Sequence, residues 1–389
     1  MKKYNFDEIV DRTNTNCLKY DARSSFFGNA DVLPLWVADM DFRTPNFIVE
    51  AVKKRAEHEI FGYTFRPETY SQSIINWLKK RHNWEIKSEW ISFSPGVVAG
   101  ITLAIQALSN PGDGVIVQPP VYNPFYDSIK GSGRQMIENP LKLKNGRYYF
   151  DFEDLHSKIT QNTKLLLLSN PHNPGGMAWT KEELSALAQI CLENKIIIIS
   201  DEIHSDLIFD GYKHTPLACV SEEAAQNCIT LMAPSKTFNT AGLTTSFLVI
   251  PNKRHFVAYE RVMRLPHLHM GNIFGTVALE AAYSHGENWL AQLLIYLQEN
   301  YRLLENFFTE KLPKVRVMHP EATYLIWIDF SAYGLTDDDL NKKMIDAGVG
   351  LNRGIQFGKQ GSGFMRMNIG CPQSILKEAL ARIEKAFAD

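Results

Sequence analysis

Residues 195–204 read KIIIISDEIH, so four isoleucines are followed at once by charged and polar side chains. An uninterrupted run of β-branched residues is typical of a strand that is buried on both faces, as in a parallel sheet covered by helices. In such sheets ligands gather beyond the carboxyl ends of the strands. This stretch therefore predicts an α/β fold and places Asp201 at the edge of the sheet where a ligand is expected.

The same alternation of short apolar runs and amphipathic segments extends along the chain. Helical patterns cover residues 98–108 and Lys181–Glu193, and Thr180 with Glu183 forms a capping-box signature before the second. Alternating strands and helices predict a doubly wound, mostly parallel sheet domain. The strand candidates are 90–93, 115–118, 164–169, 195–200, 229–232 and 246–250.

The pattern changes beyond residue 288. A long helical stretch at 289–311 leads to a strand candidate at 323–329, and further helical and polar segments follow. We interpret this part, joined by the first 45 residues, as a smaller α+β domain. The predicted division is a large domain at 46–288 and a small domain formed by 1–45 and 289–389.

The composition and charge of the chain argue against several classes of protein function. The chain has 389 residues, is 45% hydrophobic and 22% charged, and carries a formal net charge of -2, so nothing indicates an electrostatic grip on nucleic acid or an anionic membrane. No apolar run approaches the roughly 20 residues that a membrane span needs, so we expect a cytoplasmic protein. Five scattered cysteines without a Cys-x-x-Cys pair predict neither a disulfide framework nor a zinc site. His267 and His269 lack a third potential ligand nearby, and no metal is expected.

Three further polar clusters follow strand candidates, as Asp201 does. They read SPGVVAG at 94–100, SNPHNPGG at 169–176 and APSKTFN at 233–239. Each of the four clusters, including the one that contains Asp201, has an ordinary explanation. In chain order these are a tight turn, a structural Asn-Pro turn, a helix-capping Asp and an exposed Lys236. One ligand bound at the strand ends would explain all four clusters together.

The chemistry of two side chains indicates the kind of ligand. A buried carboxylate at Asp201 is costly unless a cation pairs with it, and at about 4 Å with an effective dielectric near 20 that attraction is roughly 4 kcal/mol. A protonated ring nitrogen would be such a cation. Lys236 would form a Schiff base with an aldehyde if burial kept its amine partly deprotonated.

The motifs resemble those of fold type I pyridoxal-phosphate (PLP) enzymes in the aminotransferase class I/II superfamily. Within it, the chain is most similar to the MalY/PatB family of cystathionine β-lyases, also called C–S lyases. The likeness runs from about residue 30 to the end. It is carried by the clusters above and by PLWVADMDF at 34–42, FGY at 61–63, PPVYNPF at 119–125 and RMNIG at 366–370.

This resemblance implies a role for each matching residue. Lys236 would hold PLP as a Schiff base, Asp201 would pair with the ring nitrogen, and Tyr122 would stack on the ring. Arg366 would bind the substrate α-carboxylate as a bidentate fork. Asn173 and His204 would lie near the 3′-oxygen. Val97, Val98 and Ser235 would bind the phosphate, and the Ala38 backbone would help to hold the carboxylate. In a homodimer, Tyr63 would reach the phosphate of the neighbouring subunit.

Two positions depart from the pattern of many aminotransferases. Thr244 stands where they place a phosphate-binding arginine, and Ala233 stands where Ser or Thr is usual. Both departures agree with the lyase group.

The implied activity is α,β-elimination from an amino acid with sulfur on Cβ. Lys236 would remove the Cα proton as general base, and L-cystathionine, L-cysteine or another S-substituted cysteine would give pyruvate, ammonia and a thiol. Tyr122 would either assist proton transfer or only stack. Two rivals remain open: an aminotransferase of the same fold, and a PLP-binding regulatory protein with little turnover.

Overall fold

The computed structural model describes residues 2–387. Its helices are α1 (Leu18–Asp21), α2 (Arg23–Phe27), α3 (Asn46–Ala56), α4 (Glu68–His82), α5 (Val97–Leu108), α6 (Pro124–Gly131), α7 (Phe152–Lys158), α8 (Lys181–Glu193), α9 (Glu222–Gln226), α10 (Ser235–Phe238), α11 (Lys253–Arg264), α12 (Ile273–His285), α13 (Glu287–Lys311), α14 (Asp337–Asp346) and α15 (Gln373–Phe387). Within residues 2–387, no helix combines the length and apolar character that crossing a membrane requires. The cytoplasmic location stays a prediction.

The strands form one large sheet and three smaller ones. They are β1 (Leu33–Pro34), β2 (Ile91–Ser94), β3 (Gly114–Val117), β4 (Gln135–Glu138), β5 (Lys142–Lys144), β6 (Arg147–Tyr149), β7 (Thr163–Ser169), β8 (Ile197–Asp201), β9 (Cys228–Met232), β10 (Ser246–Val249), β11 (Arg316–Val317), β12 (Leu325–Asp329), β13 (Val349–Gly350), β14 (Asn352–Arg353) and β15 (Phe364–Asn368).

The large sheet has seven strands in the order β2-β10-β9-β8-β7-β3-β4. Its pairs are parallel except those of β10, which runs antiparallel to both β2 and β9. All six predicted strands lie in this sheet, and the predicted mostly parallel α/β fold is confirmed. The sequence did not predict β4, a half-exposed edge strand whose residues include Gln135 and Glu138, because it lacks an apolar run.

Both faces of the large sheet are buried, as the apolar runs predicted. Along β7, Leu166 and Leu168 join one hydrophobic cluster while Leu165 and Leu167 join the other. Successive side chains of a strand point to opposite faces, so the two clusters are the cores above and below the sheet. A strand with water on one face would carry polar residues at every second position.

The predicted capping box of α8 is confirmed, because Thr180 Oγ1 accepts from Glu183 N and the Glu183 carboxylate accepts from Thr180 N. A second sheet, ordered β11-β12-β15-β14, is antiparallel throughout. Strand β1 pairs in parallel with β13 and so ties the N-terminal segment to the C-terminal part. The division into a domain at 46–288 and one formed by 1–45 and 289–389 stays a prediction.

One predicted strand begins two residues later than expected. Thr323 adopts a φ of +72°, and β12 starts at Leu325. The Thr323 N–H donates to Leu207 O, and Thr323 Oγ1 accepts from Leu325 N. These bonds hold the backbone in a left-handed conformation that an extended strand cannot include.

Candidate active site

Residues from distant parts of the sequence line one pocket at the strand ends. The side chains include nine that the sequence predicted: Ala38, Val97, Val98, Tyr122, Asn173, Asp201, His204, Ser235 and Lys236. Four others that sequence reasoning did not single out also line it: Ser169, Ile203, Ala241 and Thr245. Ser169 and Ile203 belong to the two clusters that follow β7 and β8, so their place in the sequence offered a signal. Ala241 and Thr245 offered none beyond lying near Lys236.

Lys236 is a buried amine rather than an exposed surface lysine. It lies in α10, one turn of helix that follows β9, and its Nζ donates to Ala38 O at 2.7 Å. Burial and the positive charge of Arg366 lower the pKa of Lys236 to about 8. An appreciable fraction of the amine is therefore unprotonated near neutral pH, as reaction with an aldehyde requires.

Asp201 ends β8 inside the pocket. Its Oδ1 accepts from Ile203 N at 3.1 Å, and no basic side chain among residues 2–387 forms an ion pair with it. Burial raises the pKa of Asp201 to about 7, although the Ile203 N–H and the nearby Lys236 pull it back down. A cation bound beside Asp201 would restore its charge, so the carboxylate fits a protonated ring nitrogen.

His204 and Tyr122 are neutral groups on the pocket wall. Burial, with the charges of Lys236 and Arg366, holds the pKa of His204 well below its usual range. Its buried Nδ1 has no hydrogen-bond partner among the described residues. Burial also raises the pKa of Tyr122. Both side chains are therefore uncharged near neutral pH and can hydrogen-bond a ligand without adding a charge to the pocket.

The start of α5 is built as an anion site. Gly96 has a φ of +120°, which glycine accepts easily, and Val97 and Val98 begin the helix. Ser94 Oγ donates to Gly96 O, and Gly96 N donates to Ser246 Oγ, so the turn is held in place. The first N–H groups of a helix lack partners within it and favour a phosphate. Thr244 lines the same pocket and supplies no positive charge.

Arg366 is a buried cation that forms no ion pair with an acidic side chain within residues 2–387. Its guanidinium is held by three neutral oxygens: Asn173 Oδ1 at 3.0 Å, Trp36 O at 3.0 Å and Asn352 Oδ1 at 2.6 Å. Its buried Nε has no partner in the part of the chain described. Burial lowers the pKa of Arg366 to about 10, which still leaves it charged at neutral pH. An uncompensated buried charge calls for an anionic ligand.

Asn352, which sequence reasoning missed, lies opposite Arg366 in the pairing of β14 with β15. The Ala38 backbone was expected to help Arg366 hold a carboxylate. In the structure, the Ala38 carbonyl accepts from Lys236 Nζ and from Tyr324 Oη, at 2.7 and 2.9 Å. The expected role would fall to the Ala38 N–H and stays a prediction. Tyr324 was also missed, since only the tertiary structure brings it to Ala38.

Tyr63 lies apart from the pocket within a single chain. Its side chain is 95% exposed, and Ile60, Phe61 and Phe65 beside it are also exposed. Several large apolar side chains in one exposed segment are typical of a surface that another molecule covers.

Asp39 and Asp41 belong to an ion cluster beside the pocket loop. Arg12 bonds both carboxylates, and the fully buried Lys19 bonds Asp41 at 2.9 Å. No group of three or more potential metal ligands occurs within residues 2–387.

The pocket fits PLP on three observations. No basic side chain in the described part of the chain forms an ion pair with the buried Asp201, the helix start at Gly96–Val98 offers an anion site, and Lys236 supplies an amine whose pKa is lowered. These features match a ring nitrogen, a phosphate and an aldehyde, the three polar ends of that cofactor.

Comparison with known proteins agrees with this geometry. Residues 30–383 match the family described as aminotransferase class I and II. The chain is 45% identical to cystathionine beta-lyase PatB of Bacillus subtilis (strain 168), covering 99% of this chain and 100% of that protein. It is 32% identical to protein MalY of Escherichia coli (strain K12), covering 99% of each.

A solved structure supports the same relationship. The PLP-bound C–S lyase from Staphylococcus hominis superposes with a TM-score of 0.92 at 34% identity, covering 100% of this chain and 99% of that one. The chain therefore belongs to the aminotransferase class I and II family of PLP-dependent enzymes, in the group that contains PatB, MalY and the C–S lyases.

Proposed function

We propose that this protein is a carbon–sulfur β-lyase that cleaves L-cystathionine, and also L-cysteine or other S-substituted cysteines, to pyruvate, ammonia and a thiol. The names of the related lyases support this reaction. The observation that carries the proposal is geometric: the buried Lys236 amine bonds Ala38 O inside the pocket, and the buried Arg366 guanidinium bonds Asn173 Oδ1 on the pocket wall. PLP, when bound, supplies an electron sink for negative charge that develops at Cα.

In this proposal, each polar side chain of the pocket contacts a particular part of the cofactor. Lys236 would hold PLP covalently, Asp201 would pair with the ring nitrogen and Tyr122 would cover the ring face. Asn173 and His204 would bond the 3′-oxygen, with Asn173 Oδ1 already engaged by Arg366 and its amide nitrogen left to donate. The phosphate would take the N–H groups of Val97 and Val98 and the hydroxyl of Ser235.

Arg366 binds the α-carboxylate of the substrate in this proposal. Its guanidinium is fixed by neutral acceptors on three sides, so it is pre-organised and keeps its full charge for the ligand. Two parallel N–H donors match the two carboxylate oxygens. Binding there sets the amino acid at one orientation in the pocket, with Cα beside Lys236.

Lys236 acts as the general base at Cα. With a pKa of about 8, its free amine accepts a proton readily at neutral pH and releases it again. Tyr122 stays neutral because burial raises its pKa, so besides stacking it has a proton to give to a departing thiolate.

The active site is completed by a second copy of this chain. Tyr63 is nearly fully exposed and does not line the pocket of its own chain, and the neighbouring Ile60, Phe61 and Phe65 present apolar surface. We propose a homodimer in which Tyr63 reaches the phosphate site of the other subunit. An interface would remove these side chains from water, which favours association.

Product analysis tests the reaction type. Purified enzyme with L-cystathionine should release pyruvate and a thiol in equal amounts without any keto-acid acceptor, and Lys236→Ala should release neither. Turnover that depends strictly on an added keto acid would instead identify an aminotransferase. Cofactor binding without turnover of any amino acid in a panel would identify a regulatory protein.

A further inference from the structure

The Ala38 carbonyl is a shared acceptor at the centre of the pocket. It takes hydrogen bonds from Lys236 Nζ at 2.7 Å and from Tyr324 Oη at 2.9 Å. A carbonyl oxygen has two lone pairs, so these two donors saturate it. The position of this oxygen therefore decides where the Lys236 amine rests when that amine is free.

Tyr324 is suited to hold this carbonyl in one place. Its side chain is fully buried, and its ring stands edge-on to that of His204 at a centroid distance of 6.2 Å. Burial, followed by the negative charge of Asp39, raises the pKa of Tyr324 far above its usual value. The phenol keeps its proton at every working pH and remains a donor to Ala38.

The backbone before Tyr324 is held in an uncommon conformation. Thr323 is fully buried and β-branched, yet its φ is +72°. Non-glycine residues at positive φ are held there only where the surrounding structure determines them, and such residues cluster at functional sites. Here the Thr323 N–H donates to Leu207 O at 2.7 Å, three residues beyond His204, and this anchors Tyr324 to the pocket wall.

The loop that carries Ala38 is fixed on both sides of it. Arg366 donates to Trp36 O, and the Asn368 side-chain amide donates to both Val37 O and Asp39 O at 2.6 Å. Every carbonyl from 36 to 39 thus has a side-chain donor. Tyr324 is the donor that shares its acceptor with Lys236.

We propose that Tyr324 is a positioning residue for the reaction: its hydroxyl holds the Ala38 carbonyl against the free Lys236 amine and so fixes the direction of the amine lone pair. An amine that donates one N–H to a fixed acceptor loses most of its freedom to rotate, and its lone pair then points away from that acceptor. Proton transfer depends on such alignment. This inference rests on the proposed role of Lys236 as base at Cα, and it does not depend on which group leaves from Cβ.

The test substrate is L-alanine, which has no leaving group at Cβ, so a failed elimination reaction would not affect it. Exchange of its Cα proton with solvent deuterium, followed by NMR and divided by the amount of bound PLP, measures proton removal per loaded site. Tyr324→Phe should lower this rate at least about tenfold, the range general-base alignment contributes, while the affinity for L-alanine changes less than about twofold.

A second measurement uses the apoprotein. In Tyr324→Phe, Lys236 is the one donor to the Ala38 carbonyl that remains among the described residues. The carbonyl then becomes a stronger acceptor for Lys236, which stabilises the protonated form of the amine. The pH midpoint for the rate of PLP capture, followed by absorbance, should move upward by a few tenths of a unit. No buried acceptor is orphaned, so the melting temperature should fall by only about 1–2 °C.

The matched control is Tyr259→Phe. Tyr259 is also fully buried and donates to a main-chain carbonyl, Phe93 O, at 3.0 Å, but it does not line the pocket. This variant should match the wild type in exchange rate per loaded site and in capture midpoint. An exchange rate per loaded site in Tyr324→Phe equal to that of the control would overturn the proposal, and so would an unshifted capture midpoint.

Discussion

Replacing Arg366 by lysine separates the charge of this residue from its shape. Arginine offers the substrate carboxylate two parallel N–H donors, whereas lysine keeps the positive charge as a single point on a flexible stem. Lysine also cannot reach Asn173 Oδ1, Trp36 O and Asn352 Oδ1 together, so the pre-organisation of the cation is lost.

The magnitude follows from the bonds that are lost. One charge-assisted hydrogen bond to the carboxylate, with the loosened support behind it, corresponds to about 2–3 kcal/mol, or a roughly 30- to 150-fold fall in kcat/KM. Arg366→Met, which removes the charge as well, should lower kcat/KM by more than about a thousandfold. Because the lost bond concerns the substrate, PLP content should stay at the wild-type level in both variants.

Steady-state pyruvate formation from L-cystathionine, with PLP content measured on the same samples, checks this prediction. The control is Arg353→Lys: Arg353 lies next to Asn352 in β14, pairs with Asp338 at the surface and does not line the pocket. It should retain wild-type kcat/KM. A value for Arg366→Lys within about threefold of wild type would refute the assignment of Arg366 as carboxylate site.

Three further outcomes are expected. The rate of PLP capture by the apoprotein should rise with pH to half its plateau near pH 8, because burial lowers the pKa of Lys236 to about 8; a midpoint above pH 10 would contradict the buried amine. Asp201→Asn should abolish turnover yet stabilise the apoprotein. Burial raises the pKa of Asp201 in the folded state to about 7. The wild-type protein therefore loses stability as pH rises from about 4 to 7, because Asp201 ionises less easily in the folded state than in the unfolded chain. The gain in melting temperature from Asp201→Asn should grow over that window, and a gain independent of pH would argue against this origin. Co-expressed Tyr63→Ala and Lys236→Ala chains, each inactive alone, should recover about a quarter of wild-type activity, since half the dimers would contain one intact site out of two; no recovery would exclude a shared site.

Much of the site was predictable because it follows a rule of parallel sheets. Asp201 ends a buried strand, and Asn173 and Lys236 each lie four residues beyond one. Neighbouring strands β7, β8 and β9 bring those strand ends together. The apolar runs signalled the strands, chemistry indicated what Asp201 and Lys236 could bind, and the family resemblance supplied the proposed roles of the other residues.

The support behind the site was not predictable, because it depends on tertiary packing. Tyr324 bonds a residue 286 positions away, and Asn352 depends on the register of β14 against β15. The fully buried Lys19 contradicts the usual exposure of lysine, and its burial is explained by the carboxylate of Asp41 and the main-chain oxygen of Asp39, both of which it bonds. Thr323 lies in a left-handed conformation that its β-branched side chain disfavours, so local propensity predicted a strand there.

The lysine that holds the cofactor can be identified by chemical reduction. Holoenzyme is reduced with borohydride, digested and analysed by mass spectrometry, so that the lysine joined to PLP carries the added mass. We expect modification of the peptide containing Lys236 and of no other lysine-containing peptide. Modification at a different lysine, or none in a protein that binds PLP, would contradict this expectation.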